Sequence, residues 1–578
     1  MARPAPVPGP LQPAAPTVST IRDERVLSGL QRVQHAALGV LWVFVVVSFW
    51  RWWLAPAHRG ALGLYLPATA AVAYLTTVLP SLFWLFVARM RRPVHVAPAP
   101  GRRVAMITLC VPSHETLEVI ARQLVALTTV SYPHDCWVLD EGGDHEVERI
   151  ARVLGVRYFT RSGVARYNEP FPPFQARTKA GNVNAWLDHV ASAGLDYDVF
   201  VQLDVDHRPC REYLERTLGY FDDLNVAWVQ APSVYADLDH WTARGLAEQD
   251  LLFHGPLQMG FYGHSHTPFI IGSHTSYRMA AVRAIGGFQP TRAEDHLDTI
   301  VLAAAGYTGV YVPEVIARGD GPADFGTYLG QQFAWAYSMV QIFLRHTPRL
   351  VRRYTPAQAL QFLMAQSWYL LWSLSLATLW VLPIVALLSD RAIAYVSLWQ
   401  FLVYNLAVVL TSSLMWWWTR RWFQPAGIGL TWRGVVLEVA RWPVVLWAVA
   451  NVVLGIKRSY MITRKGKRTD KPAPSRRLYG LYALLATAGL CAVDLSDIET
   501  PAGATEGYAV LVLFNTLVLL VLLVTALSLE LRDLRRSSSR LLAALRLRAW
   551  ALCGLATLVA GTGASLLLVW RLVDEGLR

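Results

Sequence analysis

The stretch "VFVQLDVDHRPC", residues 199–210, decides how this chain is read. Val199 to Leu203 are four apolar residues and a glutamine, a run built like a buried strand, and it opens into Asp204, Val205, Asp206 and His207. Alternate residues of a strand share a face, so the two carboxylates point the same way, about 7 Å apart at Cα. Two like charges so placed call for a cation.

Working outward, residues 100–345 form a polar, domain-sized segment. "VAMITLCVPS", "CWVLDEGG", "GVRYFT", "DVFVQLDVD" and "VAWVQAPS" are short β-rich runs, and "LEVIARQLVAL", "HEVERIARVLG" and "KAGNVNAWLDHVASA" are helix-like. Strand and helix alternate, which predicts a parallel sheet covered on both faces, with ligands bound beyond the carboxyl ends of the strands. "VPSHE" (111–115), "LDEGGD" (139–144) and "LDVDH" (203–207) all fall at such ends. Each alone reads equally well as a turn or helix cap. Three together on one edge gather acids without bases, and that edge needs a cationic guest.

On either side of this segment the chain changes character. It is 54% hydrophobic and only 16% charged over 578 residues, too apolar for an ordinary soluble protein. Runs of about 20 apolar residues, the length that crosses a bilayer, lie at 35–54, 63–88, 362–388, 398–418, 478–495, 510–529 and 549–570. "ARMRRP", "TRRWF", "KRSYMITRKGKR" and "RDLRRSSSRLLAALRLR" fall on one side of these runs and the acidic "DLSDIETPAGATEG" on the other, so the basic side is cytoplasmic. The net charge of +12 goes largely into this asymmetry and does not require nucleic acid as a partner. The five cysteines are widely spaced and without CxxC, which argues against a zinc site or a disulfide framework. The organisation expected is a disordered cytosolic amino terminus (1–34), two transmembrane helices (35–99), the cytosolic domain (100–345), two transmembrane helices plus an interfacial helix (346–456), a loop (457–475) and three carboxyl-terminal crossings (476–578). "GVVLEVARWPVVLWAVANVVLG" (434–455), which carries Glu438 and Arg441, is read as the interfacial helix, for a reason that rests on the motif after it.

Further motifs follow in order: "TKAGNVN" (178–184), "FIIGSHTSYR" (269–278), "AEDHLDT" (293–299), "QQFAW" (331–335) and "YMITRKG" (460–466). Together with the three strand ends, this ordered set resembles the family-2 inverting glycosyltransferases, specifically the membrane-embedded processive branch typified by bacterial cellulose synthase. The resemblance spans roughly residues 100–470. It implies a GT-A-type, Rossmann-like α/β domain inserted in a multi-span α-helical membrane domain, acting at the bacterial inner membrane. It further implies a nucleotide-sugar donor, a growing glycan as acceptor, Mg²⁺ or Mn²⁺ as cofactor, and room for an accessory export subunit.

The same resemblance assigns roles. Asp204 and Asp206, with His207, would hold the metal, Asp204 also facing the donor. Pro112, Glu115, Asp140, Glu141, Lys179, Gln331, Thr463 and Lys465 would contact the donor nucleotide, with Gly181 permitting close backbone approach. Asp295, beside Glu294, would be the general base that takes the acceptor proton. Phe269, Gly272, Ser273 and Trp335 would line the acceptor end, Trp335 by stacking on a sugar ring. "YMITRKG" resembles the gating loop that closes over the nucleotide, and a full crossing at 434–455 would put that loop outside.

The sequence departs from the family at Glu141 (usually Asp), Ala293 (usually Thr), and Gln332 and Ala334, where arginine is usual. Loss of a charge-assisted hydrogen bond at the last position would cost about 1.5–3 kcal/mol of leaving-group stabilisation unless Lys179, Arg177, Arg464 or Lys465 replaces it. The expected activity is polymerisation of a sugar, with UDP-glucose as donor, into a β-linked polysaccharide that is translocated across the membrane. The alternatives are a non-processive enzyme that loads a lipid or lipid-linked acceptor, and a membrane scaffold with an inactive transferase domain. No PilZ-like domain is read after residue 470, so cyclic-di-GMP control within the chain is not expected.

Overall fold

A computed structural model of the chain describes residues 21–291, 293–424, 429, 431–456, 458, 476–495 and 504–537. Twelve strands are described: β1 (Asp23–Arg25), β2 (Arg91–Pro93), β3 (Val104–Cys110), β4 (Asp135–Asp140), β5 (Arg157–Thr160), β6 (Val199–Asp204), β7 (Arg208–Pro209), β8 (Val226–Gln230), β9 (Tyr235–Asp237), β10 (His274–Arg278), β11 (Thr308–Tyr311) and β12 (Ala317–Asp320). Seven form the central sheet, in the order β11-β8-β10-β6-β3-β4-β5. The opening stretch is its centre: β6 pairs parallel with β3, and its alternating side chains divide between two cores. Val199, Val201 and Leu203 enter one and Phe200 the other, all fully buried. This two-sided burial is why the run is apolar on both faces.

One strand corrects the expected all-parallel sheet. β10 runs antiparallel to both β6 and β8, with His274 opposite Leu203 and Arg278 opposite Val199. The helices Trp241–Leu252 and Gln258–Ser265 intervene between β8 and β10, and the chain re-enters the sheet from its carboxyl edge. The residues before β10, Gly272 and Ser273, therefore reach the same edge as the residues after β6, and the Asp204 amide donates to the Ser273 carbonyl at 3.0 Å. This mixed sheet, with a core on each face, is an α/β domain of Rossmann-like layering.

Among the described residues, six helical segments are long and apolar enough to cross a membrane: 29–53, 62–89, 356–389, 399–422, 432–453 and 508–533. Two begin with reciprocal caps, Ser28 with Gln31 and Thr355 with Gln358, which fix where the chain enters the helix. The helix 62–89 is continuous through a π turn at Tyr74–Val78. Part of the amino-terminal segment expected to be disordered is ordered: Asp23–Arg25 pairs with Arg91–Pro93, and the first helix starts at Gly29. The segment read as interfacial is two helices, Trp432–Ala440 and Trp442–Val453, meeting at Arg441. The first carboxyl-terminal run forms the helix Arg476–Leu495, whose apolar part is shorter than the other six, and the expected crossing at 549–570 lies outside the described residues.

Candidate active site

Three strand ends and two helix starts converge at the carboxyl edge of the sheet. At the end of β4, Asp140 is fully buried: one carboxylate oxygen accepts from the Gly142 amide (2.8 Å), the other from the Asp144 amide (2.6 Å) and the Tyr158 hydroxyl (2.9 Å). Gly143 has φ +71° and lies where a Cβ would come within 2.9 Å of Ser162, so the loop requires glycine there. Asp140 thus organises the loop that Pro112 packs against: a Cβ on Gly142 would lie 3.4 Å from the Pro112 ring. After β3, Glu115 bends back to accept from the Val111 amide at 2.7 Å.

Glu141 is committed to Arg161. The fully buried guanidinium donates to both carboxylate oxygens, at 2.8 and 2.7 Å, and also to the carbonyls of Tyr167, Gln175 and Thr178 at 3.0–3.1 Å. The Arg177 amide adds a bond to Glu141 at 3.1 Å. One ion pair therefore ties the end of β4 to the whole loop that leads into the helix Lys179–Ser192. Gly181 serves this loop: a Cβ there would lie 2.1 Å from the Gln175 carbonyl and 2.7 Å from Arg161, so its close approach is to the chain itself. Sequence reasoning missed Arg161 and Tyr158, because a single arginine or tyrosine after a strand carries no spacing signal.

Lys179 opens that helix, which is capped by the Thr178 hydroxyl accepting from the Gly181 amide at 3.0 Å. Its Nζ lies 2.9 Å from Asp204 Oδ1, 2.5 Å from the Gly272 carbonyl and 3.3 Å from Glu294 Oε1. Beside it, Asp204, Asp206 and His207 each offer a ligand atom within 4.8 Å of the others. His207 Nδ1 faces Asp206 at 3.3 Å and its Nε2 faces the Ser233 hydroxyl at 3.2 Å, while its ring lies parallel to that of His274. β12 closes over it at Gly319, where a Cβ would fall 2.3 Å from His207 Nε2. Two carboxylates and one imidazole so gathered fit a divalent ion such as Mg²⁺ or Mn²⁺.

Opposite stand Glu294 and Asp295, in the first turn of the helix Glu294–Ala304. Asp295 accepts from the His296 amide at 2.7 Å, and Gly272, at φ +78°, leaves room for its carboxylate: a Cβ there would lie 3.0 Å from Asp295 Oδ2. Burial pushes both acids above the ordinary carboxylate range, Asp295 to about 6 and Glu294 to about 7, and the Lys179 ammonium opposes that rise at each. Glu294 Oε2 is buried without a hydrogen-bond partner.

Two expected acceptor-end residues sit differently from one another. Trp335, on the helix Phe325–Arg345, is 37% exposed, one turn beyond Gln331 on the same face. Phe269 is 3% exposed, packed among Phe253, Phe261, Phe362 and His296, so it forms the wall behind the site. Ser273 is buried and faces His274 Nδ1 at 2.8 Å. Gln332 is buried and accepts from Arg441 Nη1 at 2.6 Å, and Arg441 also pairs with Glu438. Lys179 is the cation that meets Asp204 and Glu294, as Arg161 meets Glu141; Thr463, Arg464 and Lys465 lie outside the described residues.

The acid-bearing strand ends and Lys179 meet at one edge of the sheet. A family model, "Glycosyl transferase family group 2", matches residues 199–419. The UDP-forming cellulose synthase 1 catalytic subunit of Komagataeibacter xylinus is 29% identical over 297 residues, which cover 48% of this chain and 37% of that protein. The corresponding subunit of Komagataeibacter sucrofermentans is 27% identical over 342 residues, covering 56% of this chain and 43% of that one. The chain therefore spans about two fifths of the length of these relatives. Among solved structures, a mannosyltransferase from Pyrobaculum calidifontis in complex with GDP-Man and Mn²⁺ aligns at 17% identity and a TM-score of 0.47, over 68% of this chain and 100% of that one. This chain resembles the family-2 glycosyltransferases, and among them the cellulose synthase catalytic subunits.

The buried pair of Glu141 and Arg161 makes a stability prediction. Arg161→Met leaves a carboxylate without its partner and is expected to destabilise the domain by about 3–5 kcal/mol, whereas Glu141→Leu with Arg161→Met restores much of that loss. Thermal unfolding of the four proteins of this cycle checks it.

Proposed function

We propose that this chain is a metal-dependent, inverting glycosyltransferase that polymerises glucose from UDP-glucose into a β-linked glucan and passes it across the bacterial inner membrane, with the domain 100–345 cytoplasmic. The observation that carries the reading is the joint placement of Asp204, Asp206 and His207 on one side of Lys179 and of Glu294 and Asp295 on the other. Asp204, Asp206 and His207 would hold Mg²⁺ or Mn²⁺, which when bound supplies counter-charge for a diphosphate leaving group. Lys179 keeps Asp204 oriented toward that position. Asp295 accepts the proton of the acceptor hydroxyl as its oxygen bonds to the anomeric carbon and the bond to the diphosphate breaks on the opposite face; one such displacement inverts the configuration. Trp335 offers an exposed indole face for the acceptor sugar.

Export is supported by how the site adjoins the apolar helices. Gln366, on the membrane-length helix Pro356–Ser389, lies 3.0 Å from His296, the residue after the base. Further along the same helix, Trp368 and Trp372, one turn apart, stack with centroids 5.6 Å apart. The interfacial placement of 432–453 is supported by its lateral packing on the polar domain. Arg433 and the Gly434 amide bond Glu248, Gln249 donates to Glu438, and beyond the far end Tyr337 donates to the Ile456 carbonyl. Its length and composition would suit a crossing, but both ends meet helices of the domain. A non-processive transfer to a lipid-linked acceptor is the second reading, favoured by Ala334 where the processive family has arginine.

UDP-glucose binding is expected to depend on Mn²⁺ and to lose that dependence in Asp206→Ala. Asp295→Asn should still bind donor while transfer falls about 10²–10⁴-fold; transfer at the unsubstituted rate would remove Asp295 as the base. Because Asp295 acts ionised and its carboxyl is held near 6, kcat/KM should fall as pH drops through about 6 instead of about 4. Lys179→Met removes a cation that lowers this pKa, so the acidic limb should move upward; a pH–rate profile reads both.

A further inference from the structure

The carboxyl-terminal helix Ala504–Ser537 does more than lie among the apolar helices. Leu519, Leu520, Leu523, Ala526 and Leu529 pack in one core with Trp241 and Leu246 of the helix Trp241–Leu252, and with Phe325, Tyr328 and Leu329 of the helix Phe325–Arg345. The spacing 523, 526, 530, 533 continues this stripe at helical period, and at its end the apolar residues give way to two acids. Glu530 is 3% exposed and Asp533 8%. Each accepts from the first amide of a different helix of the polar domain: Phe325 N to Glu530 Oε1 at 3.2 Å, and Trp241 N to Asp533 Oδ2 at 2.9 Å, with His240 Nε2 3.6 Å from the same oxygen.

Both helices already carry a cap of their own. The Asp324 side chain accepts from the Thr327 amide at 2.7 Å, and His240 Nδ1 accepts from the Thr242 amide at 3.3 Å. Those caps leave the first amide of each helix in need of an acceptor, and a carboxylate is the group that an amino-terminal helix dipole favours. One helix thus closes the starts of two others across more than two hundred residues of sequence. The helix Phe325–Arg345 carries Gln331 and Trp335, and the helix Trp241–Leu252 carries Glu248 and Gln249, which hold the segment 432–453.

We infer that Glu530 and Asp533 are positioning residues: they brace the acceptor-side helix and the helix under the interfacial segment, so that the carboxyl-terminal helix sets the alignment of Trp335 with the reacting centre. The part that concerns the acceptor rests on the polymerase reading above; the brace itself does not.

The test uses the full chain in lipid nanodiscs, with Glu530→Gln, Asp533→Asn and the double variant, followed by hydrogen exchange and by product length at fixed UDP-glucose. The brace predicts about tenfold faster exchange at the first turns after Asp324 and His240, with the central strands unchanged. It also predicts shorter products with donor KM unchanged, and partial rescue by Glu530→Asp. Should the double variant not accumulate, the isosteric Glu530→Gln alone carries the comparison. Unchanged exchange at both first turns overturns the brace, and faster exchange with unaltered product length overturns the positioning role. If the unsubstituted protein makes no polymer, the proposed function fails while exchange still decides the brace.

Discussion

A single ammonium group holds the edge of the sheet together. Lys179 lies between Asp204 at the end of β6, the carbonyl of Gly272 before β10, and Glu294 at the start of the helix that also carries Asp295. These oxygens belong to three separate parts of the chain, and without a cation among them their mutual repulsion and burial would force the edge apart. The lysine cannot sit there unless its helix begins where it does. That start is fixed by Arg161, whose guanidinium gathers Glu141 and three carbonyls of the incoming loop. The site is thus built in two tiers, an ion pair that shapes the loop and an ammonium that joins the acids.

The core of this arrangement was legible in the sequence because it follows from period and burial. β3, β4, β6 and β8 are apolar on both faces, so their runs stand out, and the acids at their ends stand out against them. The direction of β10 was not legible, since an antiparallel strand buried between two others has the same composition as a parallel one; only the helices before it decide which edge it enters from. The donor-side reading of Glu141 followed its motif, but what the residue touches depends on Arg161, twenty residues away with no patterned spacing. Phe269 reads as a site residue by its place beside Gly272, and the fold turns it into the wall because the run is buried on both sides, Phe269 in one core and Ile270 in another.

The apolar helices show the same division. Their number and length among the described residues came close to the hydropathy of the sequence, with the segment 432–453 and the carboxyl-terminal runs as the points of difference. What hydropathy does not carry is lateral packing: Glu248, Gln249, Glu438 and Arg441 are charged or polar residues that pair across elements, and an isolated acid such as Glu530 at the end of an apolar helix looks like a simple boundary. Such pairs tie the polar domain to the helices beside it.

The most direct measurement is the size and linkage of the product made from UDP-glucose by the purified full chain in lipid nanodiscs with Mn²⁺ or Mg²⁺. A long polymer that a β-glucan-specific glycosidase degrades, and that vanishes when the metal is chelated, is the predicted result. Products no longer than a single added sugar, extractable with lipid, would contradict processive synthesis.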